Sequence, residues 1–444
     1  MKNKVGVRLE NKNVWERRVP IVPNDMKELI NKESIDFVVQ SSSIRAFKDE
    51  YYREIGVKVI PDIEEANVIF AIKEIPLPVV EAQKSPKTYI FFSHTIKGQK
   101  HNMPMLKKIM ERKATLIDYE KVVNEKGFRL IFFGNWAGLA GMVEILWGYG
   151  QRVKLNKKVE NPFQKLKHTW EYESLDSARK AVSEVGEEII EKGLPKELVP
   201  LVIGFAGYGN VSTGAQSMLE FLPVEEIDPM ELKDFFDRGE FSPNCVYKVV
   251  FKEEHMVEPI EGEFNLQHYY DHGKTKYRGI FEQYFPYISI LINAIYWSDK
   301  YPRLITKKFL KSQFESDEEI QCQIIGDISC DIEGGIEATL QTTKPDNPVF
   351  IYNPFTDEGT VGLKGIGMAI MAVDNLPCEL PVESSTSFSE TLKPYVPIIA
   401  KADYSKPFSE LDLPPVIKNA VIVHLGELTP NYKYIEEFDT FKGV

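Results

Sequence analysis

The chain contains two short apolar runs that each end abruptly on polar residues. Residues 67–72 are followed by Lys73 and Glu74, and residues 88–92 are followed within two positions by His94. Such runs are typical of buried parallel strands, whose carboxyl ends meet at the edge where open α/β sheets bind ligands. Lysine and histidine can exchange protons when their surroundings bring the pKa near the working pH. We therefore expect these residues to lie together at one sheet edge as candidate acid–base groups.

Short apolar runs alternate with helical patterns through the first third of the chain. Strands are predicted near residues 5–8, 37–40 and 114–118, and a helix is predicted over residues 24–32. This alternation predicts an α/β fold with a doubly wound parallel sheet. Residues 174–192 form a further, highly charged helical pattern that shows no candidate chemistry.

A longer helical pattern covers residues 134–153, and glycines recur along one stripe of it. Gly134, Gly138 and Gly141 share that stripe with Ile145. Glycine weakens a helix by roughly 1 kcal/mol relative to alanine, so several glycines on one face indicate close approach of another element. The pattern fits either a helix that passes between two domains or an ordinary packed helix.

A glycine-rich segment follows the apolar residues 201–206 and begins another helical pattern. Gly207, Gly209 and Ser212 match the G-x-G-x-x-G arrangement of dinucleotide-binding loops, with serine in the last small-residue position. The first glycine permits the tight turn, and the second lets pyrophosphate approach the backbone at the helix N-terminus. The alternative is a glycine-rich turn without a ligand.

Acidic residues stand at the end of the expected second strand, where a carboxylate normally binds the adenine ribose and favours NAD. They are Glu225, Glu226 and Asp228, and because Lys233 lies nearby the sequence leaves NAD and NADP open. Two later strands end on Asn293 and Asp327, which would face the nicotinamide if both strands join this sheet, although Asp327 could instead cap a turn. The predicted dinucleotide contacts are Gly207, Gly209, Asn210, Val211, Ser212, Asp228, Asn293, Ile295 and Asp327.

Composition narrows the class of protein. No run approaches the roughly 18 uncharged apolar residues of a membrane helix, and the first residues do not resemble a signal peptide. The four cysteines are scattered without metal-type spacing, which argues against a disulfide scaffold or a metal site and indicates a cytoplasmic setting. The net charge of −12 argues against nucleic acid as a partner. A homo-oligomer stays open, because the sequence does not determine the oligomeric state.

The motifs, taken together and in order, resemble a known family. Six motifs resemble those of the alanine dehydrogenase / lysine-forming saccharopine dehydrogenase superfamily. They are Arg8-x-Glu10, Glu16-Arg17-Arg18, Ile72-Lys73-Glu74, Phe92-Ser93-His94-x-x-Lys97-x-Gln99, Leu116-Ile117-Asp118-Tyr119-Glu120 and Phe133-Gly134-x-x-Ala137-Gly138. Three further motifs resemble the lysine–ketoglutarate reductase half of bifunctional aminoadipic semialdehyde synthases. They are Gly207-x-Gly209-Asn210-Val211-Ser212, Ile295-Tyr296-Trp297 and Asp374-Asn375-Leu376-Pro377. The saccharopine-oxidising half of those enzymes is absent from this sequence.

This resemblance implies two Rossmann-like, doubly wound parallel-sheet domains with an interdomain cleft. The substrate domain is expected over residues 1–133 plus about 380–444, and the dinucleotide-binding domain over residues 134–379. The implied reaction condenses L-lysine with 2-oxoglutarate and reduces the product to saccharopine. NADPH is the implied coenzyme, NADH is the alternative, and no metal is expected. The mitochondrial matrix would replace the cytoplasm if the chain is a processed or excised domain.

The resemblance also assigns roles to individual residues. Lys73 matches the general base for the substrate amine, and His94 matches the acid–base group for the carbinolamine hydroxyl, while Glu74 and Glu120 match carboxylates that tune this pair. Residues that match the substrate pocket are Arg18, Lys97, Gln99, Arg129 and Phe133. The lysine-forming fungal relatives carry two arginines where this chain has Phe128 and Arg129, which puts substrate orientation at position 128 in question.

Three alternatives remain after the resemblance is considered. One is an NAD-dependent saccharopine dehydrogenase that forms L-lysine, and another is an alanine-dehydrogenase-like amino acid dehydrogenase. The cations Lys97 and Arg129 favour the larger, tricarboxylate product over the latter. The third is a non-catalytic, nucleotide-sensing module, against which Lys73 and His94 argue because a sensor needs neither.

Overall fold

The computed structural model describes residues 3–316 and 318–443. Its strands are β1 (Lys4–Val7), β2 (Asp36–Gln40), β3 (Lys58–Ile60), β4 (Val68–Phe70), β5 (Thr88–Phe91), β6 (Thr115–Asp118), β7 (Val202–Ala206), β8 (Val224–Glu226), β9 (Val246–Phe251), β10 (Val257–Pro259), β11 (Tyr277–Gly279), β12 (Ile290–Asn293), β13 (Ile324–Asp327), β14 (Val349–Asn353), β15 (Glu358–Val361), β16 (Met368–Met371), β17 (Val421–His424) and β18 (Glu427–Leu428).

Fifteen α-helices connect these strands within the described residues. They are α1 (Pro23–Glu33), α2 (Asp49–Glu54), α3 (Leu77–Ala82), α4 (Met103–Glu111), α5 (Gly134–Lys157), α6 (Leu175–Lys192), α7 (Asn210–Leu219), α8 (Leu232–Arg238), α9 (Glu253–Met256), α10 (Leu266–His272), α11 (Lys307–Glu315), α12 (Pro381–Leu392), α13 (Val396–Lys401), α14 (Pro415–Lys418) and α15 (Asp439–Lys442). The chain divides into two compact units, unit 1 with residues 1–133 and 381–444 and unit 2 with residues 134–380.

Unit 1 is built on an eight-stranded sheet with the order β18-β17-β6-β5-β4-β1-β2-β3. The six strands from the first third of the chain run parallel, as predicted, and β17 joins them antiparallel beside β6. In β4, Val68 and Phe70 enter one apolar cluster while Ile69 enters a second cluster. Because successive side chains of a strand point to opposite faces, both faces of this sheet carry a core. That arrangement explains why the strands are continuous apolar runs.

Unit 2 contains a second eight-stranded sheet, with the order β15-β14-β16-β13-β12-β7-β9-β8. Strands β12 and β13 lie parallel to β7 within this sheet, so the condition placed on Asn293 and Asp327 is met. Strands β14 and β15 form an antiparallel extension at one edge, and β10 pairs with β11 in a separate hairpin. The predicted class, two Rossmann-like α/β sheets, is confirmed.

Helix α5 belongs wholly to unit 2 and packs closely on α7. A Cβ atom added to Gly138 would lie 1.9 Å from the backbone oxygen of Val211, and one added to Gly214 would lie 2.1 Å from the backbone oxygen of Asn135. Only glycine therefore permits this contact from either helix. The close approach predicted from the glycine stripe is confirmed, and the element that approaches is the helix that follows the glycine loop.

Candidate active site

Lys73 and His94 follow two strands that pair in parallel. Strand β4 runs beside β5, and beyond them the Phe92 amide donates a hydrogen bond of 3.0 Å to the Ile72 carbonyl. This bond joins the backbone directly before Lys73 to the backbone two residues before His94. The expectation that the two strand ends meet at one edge of the sheet is confirmed by this pairing.

His94 is fixed by a carboxylate and by an unusual backbone conformation. Its Nδ1 lies 2.6 Å from Oε1 of Glu74, and its φ of 48° is in the left-handed region, which non-glycine residues seldom adopt. The His94 hydrogen bond, together with the charge of Lys12, lowers the pKa of Glu74 to about 2 despite its partial burial. Because an ionised carboxylate can only accept hydrogen bonds, the Nδ1–H of His94 donates to Glu74, and Nε2 is left for proton exchange.

The Lys73 amine has its pKa lowered from the ordinary lysine value. Burial is the largest cause, and the positive charges of Arg18 and Lys12 act in the same direction. Glu16 and Glu74 oppose this shift by stabilising the ammonium form. A lowered pKa is what a lysine needs to accept a proton from another amine.

Arg18 is almost completely buried and is already paired. Its Nε and Nη2 donate to the two carboxylate oxygens of Glu16 over 2.7 and 2.6 Å, and its guanidinium lies 4.2 Å from the centre of the Phe133 ring. The bidentate edge of Arg18, a residue that the family resemblance places in the substrate pocket, is thus occupied by Glu16. Phe133 in turn stacks on Phe388, with 4.7 Å between ring centres.

The other predicted pocket residues are held by neighbours within unit 1. Arg129 forms an ion pair with Glu120, whose backbone amide donates to Asp118. Gln99 accepts a hydrogen bond of 3.1 Å from the backbone amide of Lys97, an exposed residue. Glu120 and Arg129 are therefore paired with each other in this structure, and the Gln99 side chain stabilises the loop that contains it.

The glycine loop in unit 2 has the geometry of an anion cradle. Gly207 has a φ of 96°, and a Cβ there would lie 3.1 Å from the Ala294 carbonyl. A Cβ on Gly209 would meet no atom within 4 Å, and no side chain caps the start of α7. Its first amides are therefore without side-chain partners, as anion binding at a helix N-terminus requires. Ser212 is buried on this helix and accepts a 2.9 Å hydrogen bond from Gln216.

A cavity of about 370 Å³ adjoins this loop. It is lined by Gly207, Tyr208, Gly209, Glu253, Met256, Tyr269, Tyr270, Ala294, Ile295, Tyr296 and Tyr301. The carboxylate of Glu253 accepts hydrogen bonds from Tyr208 (3.1 Å) and Tyr270 (2.6 Å). Within the predicted set, Gly207, Gly209 and Ile295 line this cavity.

The predicted ribose acid, Asp228, is displaced by the strand order. Strand β9, not β8, pairs with β7, and β8 lies at the outer edge of the sheet. Asp228 follows that edge strand, and its side chain accepts from the Met230 amide. Glu253 follows β9, the strand that pairs with β7, and the sequence analysis did not consider it because it counted strands along the chain.

Asn293 and Asp327 are in register on β12 and β13. Asn293 donates to Asp327 over 2.8 Å, and Asp327 also accepts from Thr339 (2.6 Å) and from the Cys330 amide (3.1 Å). Burial raises the pKa of Asp327 to about 6. The Asn293 Oδ1 atom is buried without a hydrogen-bond partner. The amide oxygen is therefore an acceptor still available close to the loop that follows β12.

The described residues contain neither a metal-binding cluster nor a membrane-spanning helix. Among residues 3–316 and 318–443, no cluster of three or more His, Cys, Asp or Glu side chains is arranged to bind a metal ion. No helix in that part of the chain is long and apolar enough to cross a membrane. The four cysteines, all of them described, form no disulfide.

The two sheets and the glycine loop define a two-domain, Rossmann-type dehydrogenase fold. The family model for the alanine dehydrogenase/PNT N-terminal domain matches residues 6–140, and the model for the corresponding C-terminal domain matches residues 274–431. The chain belongs to the alanine dehydrogenase/PNT family. An L-alanine dehydrogenase structure agrees with this fold, with a TM-score of 0.62, 16% identity and 99% of each chain covered.

Curated relatives are similar in sequence to this chain over most of its length. An alpha-aminoadipic semialdehyde synthase from Arabidopsis thaliana is 38% identical over 97% of this chain and 41% of its own length. A saccharopine dehydrogenase [NAD(+), L-lysine-forming] from Schizosaccharomyces pombe is 25% identical over 87% of this chain and 90% of its own. The chain thus spans less than half the length of the former relative.

Proposed function

We propose that this chain catalyses the reductive condensation of L-lysine with 2-oxoglutarate to saccharopine. The observation that carries the proposal is that Lys73 and the hydrogen-bonded Glu74–His94 pair follow two strands that pair side by side. It is supported by the 38% identity to an alpha-aminoadipic semialdehyde synthase. The same constellation would also serve the reverse reaction, saccharopine oxidation to lysine.

The proposed chemistry moves protons between nitrogen and oxygen. Lys73, with its lowered pKa, takes a proton from the substrate ε-ammonium, and the free amine adds to the keto carbon. The added nitrogen loses a proton and the carbonyl oxygen gains one, which gives the neutral carbinolamine. His94 gives a proton from Nε2 to the carbinolamine hydroxyl, and water leaves to form a protonated imine. A bound nicotinamide coenzyme supplies the hydride that reduces the imine carbon. Glu74 stabilises the protonated His94 between these steps.

Cationic side chains hold the three carboxylates of saccharopine in this proposal. Arg129 is half exposed and paired with Glu120, so a substrate carboxylate competes with Glu120 for it. Arg18 contributes positive charge without a bidentate contact to the substrate, since Glu16 already occupies its bidentate edge. Lys97 and Gln99 complete the predicted pocket, with Phe133 as its apolar wall.

The coenzyme binds, in this proposal, at the glycine loop and the adjoining cavity. The uncapped start of α7 and the open space above Gly209 fit a pyrophosphate. NADPH is the coenzyme that the family resemblance implies, whereas Glu253 favours NADH. A carboxylate after the strand beside the glycine loop accepts ribose hydroxyls, and its charge repels a 2′-phosphate.

The reaction is tested by coenzyme oxidation with lysine and 2-oxoglutarate together and with each one omitted. Oxidation that requires both substrates, with saccharopine identified by mass spectrometry, is the expected result. Oxidation without lysine, or with pyruvate and ammonia in their place, would refute the proposal in favour of an amino acid dehydrogenase.

Substitutions at the strand ends separate catalysis from nucleotide sensing. We expect Lys73→Met and His94→Gln each to lower kcat by about 10²-fold or more. Lys87→Met is the matched control, because burial also lowers the pKa of Lys87 but this lysine precedes β5, at the opposite end of that strand. Unchanged turnover in both site variants would show that the strand ends are not catalytic.

Coenzyme preference is tested by fluorescence titration with NADH and NADPH. We expect Glu253→Ser to strengthen NADPH binding by ~10-fold relative to NADH, because a like charge is removed. Asp228→Ser is the matched control and should leave the ratio of the two affinities unchanged. If Asp228→Ser changed the ratio of the two affinities and Glu253→Ser did not, the edge strand, and not β9, would supply the ribose contact.

A further inference from the structure

On the β1 side of the sheet, the backbone of β4 has no strand partner once it reaches Ile72 and Lys73. Strand β1 pairs with β4 up to Val7 and Phe70, and the last backbone bond between them runs from the Arg8 amide to the Phe70 carbonyl. Beyond this point the chain bends at Ile72 and Lys73. The amides of these two residues therefore need acceptors that β1 does not provide.

The carboxylate of Glu10 supplies both acceptors. Its Oε1 accepts from the Ile72 amide over 2.6 Å, and its Oε2 accepts from the Lys73 amide over 3.1 Å. Consecutive amides of a straight strand point in opposite directions, so one carboxylate can receive both only if the chain is bent. Glu10 therefore fixes the bend as well as satisfying the two donors. The residue is 4% exposed, which makes the two bonds strong contributors to the local conformation.

The charged surroundings of Glu10 come from several elements. Arg8 attracts its charge, while Glu16 and the buried Tyr119 lie close enough to interact with it. Arg8 itself donates to the Leu9 carbonyl and to Asn11, so it does not displace the two amides. Burial, the largest cause, and the charge of Glu16 raise the pKa of Glu10 to about 7. The two amides and Arg8 oppose that shift.

We propose that Glu10 is the positioning residue for Lys73, holding through two backbone hydrogen bonds the bend that keeps the lysine amine partly buried at the sheet edge. Glu10 touches neither substrate nor coenzyme in this proposal and acts only through the backbone. The inference rests on the proposed role of Lys73 for its catalytic meaning. The claim that Glu10 keeps the Lys73 amine partly buried does not depend on that role.

The test measures that environment directly. Lys73 is labelled with acetic anhydride across a pH series, and the modified peptide is quantified by mass spectrometry to give the labelling midpoint. In Glu10→Gln one amide faces an NH₂ group instead of an acceptor, so the bend is released and the amine becomes hydrated. We expect the midpoint to rise by about one pH unit toward the ordinary lysine value, with kcat lowered about 10-fold.

Two further variants make the result specific. Glu144→Gln is the matched control, because buried Glu144 accepts the Thr169 amide over 2.5 Å in unit 2. It should reduce stability without moving the Lys73 midpoint. Glu10→Asp keeps the charge but is too short to reach both amides, so an intermediate midpoint is expected. This variant also carries the test if Glu10→Gln does not fold.

A midpoint that is raised in the Glu10 variants and unchanged in Glu144→Gln supports the positioning role. A midpoint equal to that of the wild type in folded Glu10→Gln or Glu10→Asp overturns it. The labelling does not depend on which substrates the enzyme uses, so failure of the saccharopine assay would leave this measurement interpretable.

Discussion

The contact between α5 and α7 can be tested by adding a single methyl group. In Gly138→Ala the new Cβ would lie 1.9 Å from the Val211 carbonyl oxygen and 2.6 Å from the Ala215 amide nitrogen. Both are backbone atoms of α7, so neither can rotate away, and the helices must separate. Overpacking of this kind costs about 1–3 kcal/mol, and here the upper end applies.

The net change also includes the intrinsic preference of alanine for helices. Replacing glycine by alanine within a helix contributes about 1 kcal/mol in the stabilising direction. We therefore expect Gly138→Ala to lower the free energy of unfolding of unit 2 by about 2 kcal/mol. For a unit of this size, that loss corresponds to a decrease in Tm of roughly 4–8 °C.

A matched control lies one turn further along the same helix. The atoms nearest to a Cβ on Gly141 would be side-chain atoms of Ile328 (3.0 and 3.1 Å) and Leu376 (3.0 Å), which can shift by rotamer changes. We expect Gly141→Ala to stay within about 1 kcal/mol of the wild type. The assay is urea unfolding followed by tryptophan fluorescence, since Trp136 and Trp147 lie on α5. Equal stability of the two variants would refute the backbone clash.

Three further predictions concern the coenzyme loop and two carboxylates. Gly209→Ala should fold normally, because its Cβ meets open space, but should bind coenzyme at least about 10-fold more weakly in fluorescence titrations. Asp327→Asn should lower the free energy of unfolding by about 1–3 kcal/mol, because an amide cannot satisfy three donors. Because the folded pKa of Asp327 is raised to about 6, wild-type stability falls as pH rises from 3.8 to 6, and this slope should be lost in the variant. The folded pKa of Glu74 is lowered to about 2, so wild-type stability falls as pH drops from 4.5 toward 2, and urea titrations of Glu74→Gln should show a smaller fall.

The sequence predicted elements well where burial on both faces leaves a simple pattern. The runs over residues 67–72 and 88–92 became β4 and β5 because parallel strands with a core on each face need apolar residues at every position. The charged pattern over residues 174–192 became α6 for the equally simple reason that a surface helix buries one stripe. The glycine loop was recognisable because the positive φ of its turn at Gly207 is seldom adopted by residues other than glycine.

Other features depended on which elements become neighbours, and periodicity carries no such information. The prediction for Asp228 assumed that its strand lies beside β7, but β9 lies between β7 and β8, an arrangement that the order of strands along the chain does not reveal. The bidentate pairing of Arg18 with Glu16 was also not foreseen, although both residues stand in one recognised motif. The segment from Pro381 onward joins unit 1 through long-range contacts, which no local pattern in the sequence reveals.

The placement of β17 beside β6 has a consequence for how the chain folds during synthesis. Unit 2 is contiguous and can complete its core as soon as residue 380 has emerged, whereas the sheet of unit 1 lacks β17 until residues 421–424 are made. Until then, β6 presents an unpaired edge, and the apolar partners of Phe388 and Leu392 are uncovered. The strands of unit 1 that precede residue 134 are thus made before unit 2 but complete their sheet after it, and the edge of β6 stays open in the meantime.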